Sequence, residues 1–571
     1  MHRFPVSAAT IVIIAGAATA SAQVEPILFS DGIIPGVFDP GGTAATVWQT
    51  GLYRIANSPD RSLWAIRVNN TSSSDNEYIV SGSGLVGNTV VHSSATEDTV
   101  PATSQPIFYI SERELSINDS GDLAVGGSDA NRATTDTAYF VDTGTSVTVI
   151  AQENNFSFTR PAPTLLPYPV SPSIPNPLTF NALGVGDISN TGKIAILDTD
   201  IDQVLLWDSG TLTLLAEDDD PVANQDRPGE VLTGLISPGA NGFRSTIFYF
   251  ENQGEDPIVA FQGRSAIPND GNQNGLTDEL STDTAGLITR DPSSGTLESQ
   301  LYVGDVVDSR VIGSSLNAWV DADGNTFATG TSGSFFPPSD GFGIINGEVV
   351  ADVGLPVGGT VAGEQWFGAA SNSNGPWIFA LDRRPDGAYI IGGVTNNPGI
   401  VDGGNLEGND QPDINVNRVV MFVAPDGTRT ELLRTGQDFD VTLPDGTVQT
   451  RKLAVFNQSD ATFSMYIDDT HLYFLAGTTP YAGTIPSDLF ARVELPNVGG
   501  DRLCGDVNND GTISDSDFFA WVTAFIADPR TPEQLTACDV NDDGNCNDSD
   551  FFAWVTEFIA LPADRSFCPA I

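Results

Sequence analysis

A two-part phrase that recurs through the first 495 of the 571 residues constrains the fold more than any other feature. Each copy is a short turn rich in Asn, Asp and Gly, followed by an apolar strand, as at 118–125 and 189–196. Such turn residues separate one strand from the next, so each copy predicts a turn followed by a short β-strand. The copies begin at Asn118, Ser189, Asn252, Asp321, Asn372 and Asp468.

A second phrase alternates with the first along the chain. It is an apolar strand that runs into a polar or acidic turn, and it occupies 149–153, 214–218, 301–305, 349–352 and 432–436. Two strand types that alternate every 50–90 residues, roughly, indicate an array of small β-sheets. One such sheet cannot bury both of its faces, so neighbouring sheets must stack on each other.

The repeats predict a mainly β domain over 23–495, with an irregular β-propeller of about six or seven blades as the preferred architecture. One or two β-sandwiches with long loops are the alternative, whereas a β-helix repeats at shorter intervals. The two phrases resemble the repeats of uncharacterised, secreted β-propeller-like proteins of planctomycete bacteria. That resemblance implies an architecture and no activity.

The charge balance excludes several classes of partner. The chain has 24 Lys and Arg residues against 74 Asp and Glu, which gives a formal net charge of −50. A surface of this sign repels nucleic acid and anionic lipid, and it attracts cations. Adaptation to a salty habitat accounts for the overall charge, so local carboxylate clusters need separate arguments.

The first 22 residues predict an exported protein. His2 and Arg3 precede an apolar run over 8–18, and Ala-Ser-Ala at 20–22 fits a cleavage site of small residues. The run is shorter than the ~20 residues that span a bilayer, so we expect a cleaved signal peptide at 1–22 rather than a membrane anchor. No later segment reaches spanning length, which predicts a secreted protein, extracellular or at the cell surface, without membrane insertion.

After a short linker at 496–503, two near copies offset by 33 residues dominate the C-terminal segment 504–571. Each copy has oxygen side chains at positions 1, 3, 5, 9 and 12 of a twelve-residue loop, Gly at position 6, and a backbone carbonyl available at position 7. Ca²⁺ takes six to eight oxygen ligands from a loop of this layout, so the sequence predicts two calcium sites. The predicted ligands are Asp506, Asn508, Asp510, Thr512, Ser514 and Asp517 in the first loop and Asp539, Asn541, Asp543, Asn545, Asn547 and Asp550 in the second.

The duplicated module resembles the dockerin family. Position 12 is Asp in both loops, where an ordinary EF-hand has Glu, and the same nine residues, Asp-Ser-Asp-Phe-Phe-Ala-Trp-Val-Thr, follow at 515–523 and 548–556. Their apolar residues fall at helical spacing, so each loop should lead into a short amphipathic helix. We expect the aromatic side chains to form a core between the two helices, and exposure to a partner is the alternative.

The dockerin resemblance implies a protein partner, because dockerins bind cohesin modules. The recognition residues of the family lie at loop positions 10 and 11, which are Asp515 and Ser516 in one loop and Asp548 and Ser549 in the other. Asp departs from the usual Ser/Thr pattern at position 10, and no basic residue follows in either helix. The expected partner is therefore an unknown cohesin-like or cell-surface protein.

All four cysteines, Cys504, Cys538, Cys546 and Cys568, lie in this module. An oxidising compartment and a small domain favour disulfides, and four cysteines permit three pairings. A module of two paired halves brings its N-terminal and C-terminal ends together. This favours a disulfide between Cys504 and Cys568 and leaves Cys538 to pair with Cys546. A zinc site is the rival, although the spacings form no pair of Cys-x-x-Cys knuckles. Cysteines at both ends also resemble the dockerin-like modules of planctomycete secreted proteins.

The large domain has few catalytic signatures. It has no Gly-x-Ser-x-Gly elbow and no His-Glu-x-x-His helix, and after cleavage its histidines are His92 and His471. The segment 270–279 has oxygen side chains at alternate positions and then Gly, which resembles the short calcium loops of extracellular repeats; a plain β-turn is an equal alternative. The candidate ligands are Asp270, Asn272, Asn274 and Asp278.

Two functions fit these features. The first is a secreted calcium-binding protein with a dockerin-like attachment module and a non-catalytic, propeller-like recognition domain. The alternative is a polysaccharide-acting hydrolase or lyase carried by the same tail. A cleft with two carboxylates beside an exposed tryptophan, such as Trp366 or Trp377, would favour the enzyme. Polysaccharide is a candidate ligand in both cases.

Overall fold

The structure is a computed structural model, and it describes most of the large domain and five residues of the tail. The described residues are 23–38, 44–47, 49–50, 55–70, 76–94, 109–128, 136–142, 146–152, 157–158, 178–179, 183–198, 203–223, 229–235, 248–250, 258–266, 268–269, 279–280, 284–290, 295–312, 317–331, 341–367, 378–396, 418–456, 464–479 and 488–496, together with Phe518, Trp521, Val522, Phe525 and Phe552.

Seven sheets of four to six strands form the domain in the described ranges. Each sheet contacts the next one along the chain, and the last sheet contacts the first, so the sheets form a closed ring. This arrangement is a β-propeller, which confirms the predicted architecture. The sheets are numbered here as blades 1 to 7 in chain order.

The first part of the chain supplies a closing strand and blades 1 to 3, and in these blades neighbouring strands are antiparallel. The first elements are β1 (Val24–Phe29), β2 (Ile33–Phe38) and β3 (Ala44–Thr46). Blade 1 contains β4 (Gln49–Thr50), β5 (Ala56–Asn57), β6 (Trp64–Asn69), β7 (Asn76–Ser83) and β8 (Val86–Ser94). Blade 2 contains β9 (Tyr109–Ile117), β10 (Leu123–Ser128), β11 (Asp136–Asp142) and β12 (Ser146–Gln152). After the hairpin β13 (Ser157–Phe158) and β14 (Leu178–Thr179), blade 3 contains β15 (Leu183–Ile188), β16 (Ile194–Asp198), β17 (Gln203–Asp208) and β18 (Thr211–Ala216).

Blade 4 is the least regular sheet, because it includes a parallel pair between β19 and β26. It contains β19 (Pro221–Ala223), β20 (Glu230–Leu235), β21 (Phe248–Phe250), β22 (Ile258–Ala266), β25 (Thr284–Arg290) and β26 (Leu297–Tyr302). The two-stranded hairpins β23 (Pro268–Asn269) with β24 (Glu279–Leu280), and β27 (Val306–Val307) with β28 (Arg310–Val311), lie within or after it.

Blades 5 and 6 are four-stranded sheets in simple chain order, and blade 7 closes the ring. Blade 5 contains β29 (Asn317–Val320), β30 (Thr326–Thr331), β31 (Gly341–Ile345) and β32 (Glu348–Asp352). Blade 6 contains β33 (Ile378–Arg383), β34 (Tyr389–Val394), β35 (Arg418–Val423) and β36 (Arg429–Arg434). Blade 7 contains β37 (Asp438–Thr442), β38 (Val448–Phe456), β39 (Met465–Ile467), β40 (His471–Thr479) and β41 (Leu489–Glu494).

The two ends of the domain meet in blade 7. Strand β1 pairs antiparallel with β41, with Val24 opposite Val493 and Phe29 opposite Leu489. The first strand of the domain thus becomes the edge of the last blade, and backbone hydrogen bonds rather than packing alone join the ends of the ring.

The apolar core lies between blades rather than inside one sheet. Six clusters of buried side chains each combine residues from neighbouring blades, such as Trp64 of blade 1 with Phe490 of blade 7, whose ring centroids lie 5.0 Å apart. Central strands such as β6 and β35 are buried along their whole length. Both faces of these strands are covered, which explains their nearly continuous apolar sequence.

The described copies of the two sequence phrases mark particular places in a blade. The copy at 468 is the turn between β39 and β40 of blade 7, and the turns of the copies at 252 and 372 lie outside the described residues. In blades 2, 3 and 5 the first phrase is the turn between the first and second strands, where Gly121, Gly192 and Gly324 have φ of 87°, 78° and 80°. Each glycine N–H donates to the carbonyl three residues earlier, so this tight turn needs a left-handed residue at its fourth position. The second phrase is the last strand of a blade, as in β12, β18, β26, β32 and β36.

The described residues of the tail are helical. Trp521 is 6% exposed and stacks on Phe525 with ring centroids 4.8 Å apart, whereas Phe552, which lies off the predicted apolar face, is 67% exposed. This burial agrees with a core role for Trp521. In the described part of the chain, no helix has the length and apolar character needed to cross a membrane.

Candidate binding site in the central channel

The first turns of several blades converge around a cavity of about 100 Å³ in the propeller. Residues of β5, β9, β15, β29, β33 and β39, or of the turns that follow them, line the cavity, so six of the seven blades contribute to it. The lining combines apolar residues of the strands with charged residues of the turns. The positions of the charged residues determine which chemical groups the cavity can bind.

Arg61 crosses the end of the channel from blade 1. Its Nη1 donates to Oδ2 of Asp382 at 2.8 Å and to the carbonyl oxygen of Ile467 at 2.7 Å. Its Nη2 donates to Oδ2 of Asp321 at 3.3 Å and lies 3.8 Å from Oδ2 of Asp323. One guanidinium therefore connects blade 1 to blades 5, 6 and 7, and only 8% of the residue is exposed.

The backbone of Arg61 is strained at the position where blades 2, 3, 5 and 6 have glycine. Its N–H donates to the carbonyl oxygen of Ser58 at 2.8 Å, as Gly121 does to Asn118 in blade 2. Its φ is 63°, a conformation that costs a residue with a Cβ roughly 1–2 kcal/mol. Strain of this kind persists where the surrounding contacts outweigh it, and here four charged or polar groups hold the side chain.

The carboxylates around Arg61 are themselves fixed by the backbone. Asp382 accepts a hydrogen bond from the N–H of Ile467 at 2.7 Å, and Oδ1 of Asp321 accepts from the N–H groups of Asp323 and Asn325. Burial raises the pKa of Asp321 to about 7 and also raises the pKa of Asp382, while Arg61 opposes both shifts. One positive charge therefore faces three acidic side chains in a poorly solvated place.

A second set of contacts links the turns of blades 1, 2 and 3. The N–H of Asp60 donates to Oδ1 of Asp119 at 2.9 Å, and the N–H of Asp119 donates to Oδ1 of Asn190 at 3.0 Å. Burial raises the pKa of Asp119. These side chains hold neighbouring turns together, and together with Arg61 they fix one end of the channel.

Most of the sequence-predicted site residues are not among those that the structure describes. The twelve predicted tail ligands, the four cysteines, the recognition positions 515–516 and 548–549, and the 270–278 loop ligands lie outside the described residues. In the described ranges, no group of three or more His, Cys, Asp or Glu side chains is arranged to hold a metal ion. The suggestion that Trp366 is exposed is wrong: it is 1% exposed because it packs in the core between blades 5 and 6. Trp377 lies outside the described residues.

Sequence reasoning missed Arg61, although a signal was present. The segment 58–61 has the same turn as 118–121, 189–192 and 321–324, but an arginine stands at the fourth position instead of glycine. A bulky residue where the fold requires positive φ is uncommon. That departure from the repeat identifies the residue that reaches into the channel.

The tail matches a known family. Residues 504–558 match the family model described as the Dockerin type I domain. A comparison with curated protein sequences finds no significant match.

Several solved structures match most of this chain at low identity. The β-propeller domain of the Trilobed protease from Pyrococcus furiosus is 9% identical with a TM-score of 0.36, and the match covers 79% of this chain and 98% of that one. The Penicillium chrysogenum α-L-arabinanase in complex with arabinobiose is 14% identical with a TM-score of 0.28, over 66% and 94% of the two chains. The Trypanosoma rangeli sialidase in complex with the inhibitor DANA is 9% identical with a TM-score of 0.33, over 86% and 61%.

Scores of this size carry no argument about activity, and the fold assignment depends on the strand order and the closed ring. The tail assignment depends on the family match. The chain thus joins a β-propeller to a C-terminal type I dockerin domain.

Proposed function

We propose that the protein is a secreted recognition protein: the propeller binds a ligand at the central channel without chemical change, and the dockerin domain attaches the propeller to a partner. The observation that supports ligand binding without chemical change is the position of Arg61. Asp321 and Asp382 both point an oxygen at the same guanidinium, at 3.3 and 2.8 Å. Their first role is to hold Arg61 in place.

A glycoside hydrolase needs a different arrangement. Its two carboxyl groups flank the scissile bond, about 5–10 Å apart, with one as the acid and the other as nucleophile or base. Side chains that share one guanidinium, and that also accept backbone hydrogen bonds, are not available to flank a sugar linkage. This favours binding over hydrolysis.

One observation favours the alternative, a hydrolase or lyase acting on polysaccharide. Burial raises the pKa of Asp321 to about 7, which lies in the range that suits a general acid at neutral pH. The alternative would require Asp321 to leave Arg61 when substrate enters.

The test is a screen of the full chain, loaded with calcium, against soluble polysaccharides. We expect retention of the protein in gels that contain one polysaccharide class, with no release of reducing ends and no unsaturated uronate product. Release of reducing ends or of unsaturated uronate would contradict the proposal if Asp321→Asn abolishes the release and the control Asp426→Asn does not. That result would establish the enzyme. Asp426 is a matched control because it lies in the exposed turn between β35 and β36.

The proposal divides the chain into a signal peptide (1–22), a propeller (23–495), a linker (496–503) and a dockerin module (504–571). Strand β1 begins at Val24, next to the expected new N-terminus, and β41 ends at Glu494. The family match begins at residue 504. These positions support the boundaries. Cleavage of the signal peptide would place the propeller outside the cell, where the pairs Cys504–Cys568 and Cys538–Cys546 can form.

The proposed partner of the tail is a cohesin-like or cell-surface protein that can bind either of two equivalent faces. The nine residues at 515–523 and 548–556 are identical, including Ser516 and Ser549, which lie outside the proposed calcium ligands. Core packing accounts for the repeated Phe and Trp residues and does not account for the repeated Asp and Ser at loop positions 10 and 11. A two-fold module could present the same patch in two orientations.

The prediction for the two faces is tested by a pull-down of the partner from the envelope of the source organism with three variants of the tail. Ser516→Arg alone and Ser549→Arg alone should each retain the partner, because the other face remains intact, and the double variant should lose it. Loss with either single change would reject interchangeable faces. Retention by the double variant would place the contact elsewhere on the module.

A further inference from the structure

A row of four residues, called here the arginine row, crosses blade 6 from its first strand to its last. Arg383 of β33 is opposite Tyr389 of β34. Val423 of β35 is opposite Tyr389 on one side and opposite Arg429 of β36 on the other. Residues directly opposite each other in antiparallel strands share one face of the sheet. The four side chains therefore lie in line, and three strand spacings of ~4.8 Å separate the two arginines at the backbone.

The arginine row runs outward from the central channel. Strand β33 is next to the channel, since Leu381 and Asp382 line the cavity, and β36 is the last strand of the sheet. Side chains alternate between the two faces of a strand, so Arg383 points away from the face that Asp382 occupies. Tyr389 and Val423 pack with the apolar core between blades 5 and 6. The row thus lies along the boundary between these two blades, beside the channel.

Neither arginine of the row has a carboxylate partner among the described residues. Nη1 of Arg429 donates to the carbonyl oxygens of Pro356 and Val357 at 2.8 and 3.0 Å. The side chain of Arg383 makes no hydrogen bond or ion pair in the described part of the chain. Carboxylates are the commonest possible partners in a chain with 74 Asp and Glu against 24 Lys and Arg. Two cations that remain without one keep their capacity to bind an anion.

Tyr389 lies within reach of both charges. It is half-buried, and burial raises the pKa of its hydroxyl, while the positive charges of Arg429 and Arg383 oppose that shift. Glu348 of blade 5 also acts on Tyr389, in the direction of burial, but it forms no ion pair with either arginine in the described ranges. Both guanidinium groups therefore approach one aromatic side chain, although their backbones are three strands apart.

The chemistry of the row indicates what it would bind. A planar guanidinium donates paired hydrogen bonds to an oxyanion such as a carboxylate, and binding sites combine such polar groups with aromatic and apolar surface. Leu355, which is 47% exposed, precedes the proline whose carbonyl Arg429 binds, so apolar surface lies next to the row. We propose that the arginine row binds an acidic polysaccharide, with acid groups on Arg383 and Arg429 and a sugar ring against Tyr389.

This inference rests on the proposed recognition function and specifies the class of polysaccharide. The net charge of −50 repels an anionic polymer at a distance, but salt at 0.15 M screens charges beyond about 8 Å, so the contacts within the row decide the affinity. The acid group belongs to a uronate or to a sulfate ester, and both present an oxyanion to the arginines. The probes are therefore trigalacturonate with its methyl ester, and sulfated maltotriose with maltotriose.

The first measurement is calorimetry of the full, calcium-loaded chain in 0.15 M sodium chloride at a fixed free calcium concentration. We expect an acidic trisaccharide to bind about tenfold more tightly than its uncharged counterpart, because a hydrogen bond to a charged group is stronger than one between neutral groups. Tighter binding of trigalacturonate assigns the acid group to a uronate, and tighter binding of sulfated maltotriose assigns it to a sulfate ester; both support the row. Equal affinity for the charged and uncharged members of both pairs would overturn it, and so would triglutamate that binds as tightly as either acidic sugar.

The second measurement assigns the binding to the row. Arg383→Gln should weaken binding of the acidic trisaccharide about tenfold and leave the melting temperature unchanged, since its side chain makes no contact that the fold needs in the described ranges. The matched control is Arg264→Gln, because Arg264 is an exposed arginine on β22 of blade 4 that also has no carboxylate partner among the described residues. The control should keep its affinity. An unchanged affinity in Arg383→Gln, or the same loss in both variants, would show that the row is not the site.

The outcomes also separate this inference from the proposed function. A neutral polysaccharide that retains the unaltered chain and Arg383→Gln equally, with no binding of either acidic trisaccharide, would leave the recognition function intact and overturn the arginine row. No retention by any polysaccharide, together with no binding of any trisaccharide, would contradict the recognition function itself.

Discussion

Replacing Arg61 with methionine should lower the free energy of unfolding of the propeller by about 3–5 kcal/mol at pH 8. The change removes the contacts to Asp382, to Asp321 and to the carbonyl of Ile467, and leaves buried carboxylates without a cation. Removing one partner of a buried ion pair is costly mainly because the other partner remains buried and charged. Urea unfolding followed by tryptophan fluorescence measures the difference.

The effect should depend on pH in a defined direction. The pKa of Asp321 rises from an ordinary value of 3.8 to about 7 in the folded protein, and the pKa of Asp382 also rises. A carboxyl group with a raised pKa binds more protons in the folded state, so its contribution to stability is lost as the pH increases from about 4 to 7. Without Arg61 these pKa values should rise further, so the variant should lose less stability at pH 5 than at pH 8.

Two control variants separate the ion pairs from other effects. Arg61→Gly removes the same contacts but relieves the strain at φ 63°, and should therefore be about 1 kcal/mol more stable than Arg61→Met. Lys452→Met removes a cation from the exposed pair with Asp438 and should change stability by about 1 kcal/mol or less. Equal losses in Arg61→Met and Lys452→Met would show that Arg61 does not join the blades.

The turn pattern of the blades could be predicted because it is local. Four consecutive residues such as 118–121 carry the signals for the turn: an Asn that bonds to the backbone and a Gly with positive φ. The strand that follows is apolar because both of its faces are covered. The repeat therefore predicted the turns and strands of blades 2, 3, 5 and 7 and the stacking of small sheets, but it did not mark the turn at 58–61 in blade 1 or the turn at 384–387 in blade 6.

The channel site could not be predicted in the same way, because its contacts span most of the chain. Arg61 contacts Asp382 across 321 positions and Ile467 across 406. These residues meet only because β1 closes the ring with β41, and the turn sequences alone do not specify which side chain crosses the channel. The departure from glycine at position 61 marks the residue, and its partners follow only from the closed ring.

The calcium loops differ from the channel because their proposed ligands lie within twelve consecutive residues. Spacing alone therefore specifies the set from Asp506 to Asp517 and the set from Asp539 to Asp550. The type I dockerin match over 504–558 supports the calcium assignment. The same local character makes calcium binding testable without knowledge of the partner.

Removing calcium should unfold the dockerin module while the propeller stays folded. Three of the proposed ligands in each loop are Asp residues, which repel one another without the ion, so binding and ordering of the loop are coupled. At free calcium 100-fold above Kd, one site contributes about 2.7 kcal/mol to the stability of the module. Hydrogen exchange of the full chain, under non-reducing conditions, should show loss of protection across 504–558 in EDTA and unchanged protection in β35.

Substitutions in the loops should reproduce the effect of the chelator. Asp506→Ala combined with Asp539→Ala removes the first ligand of each loop and should leave 504–558 unprotected even with calcium present. The matched control is Asp515→Ala combined with Asp548→Ala, which removes the same charge from position 10, outside the proposed ligand set. That control should keep its calcium-dependent protection. If the two double variants behave alike, or if EDTA leaves the tail protected, calcium is not what orders the module.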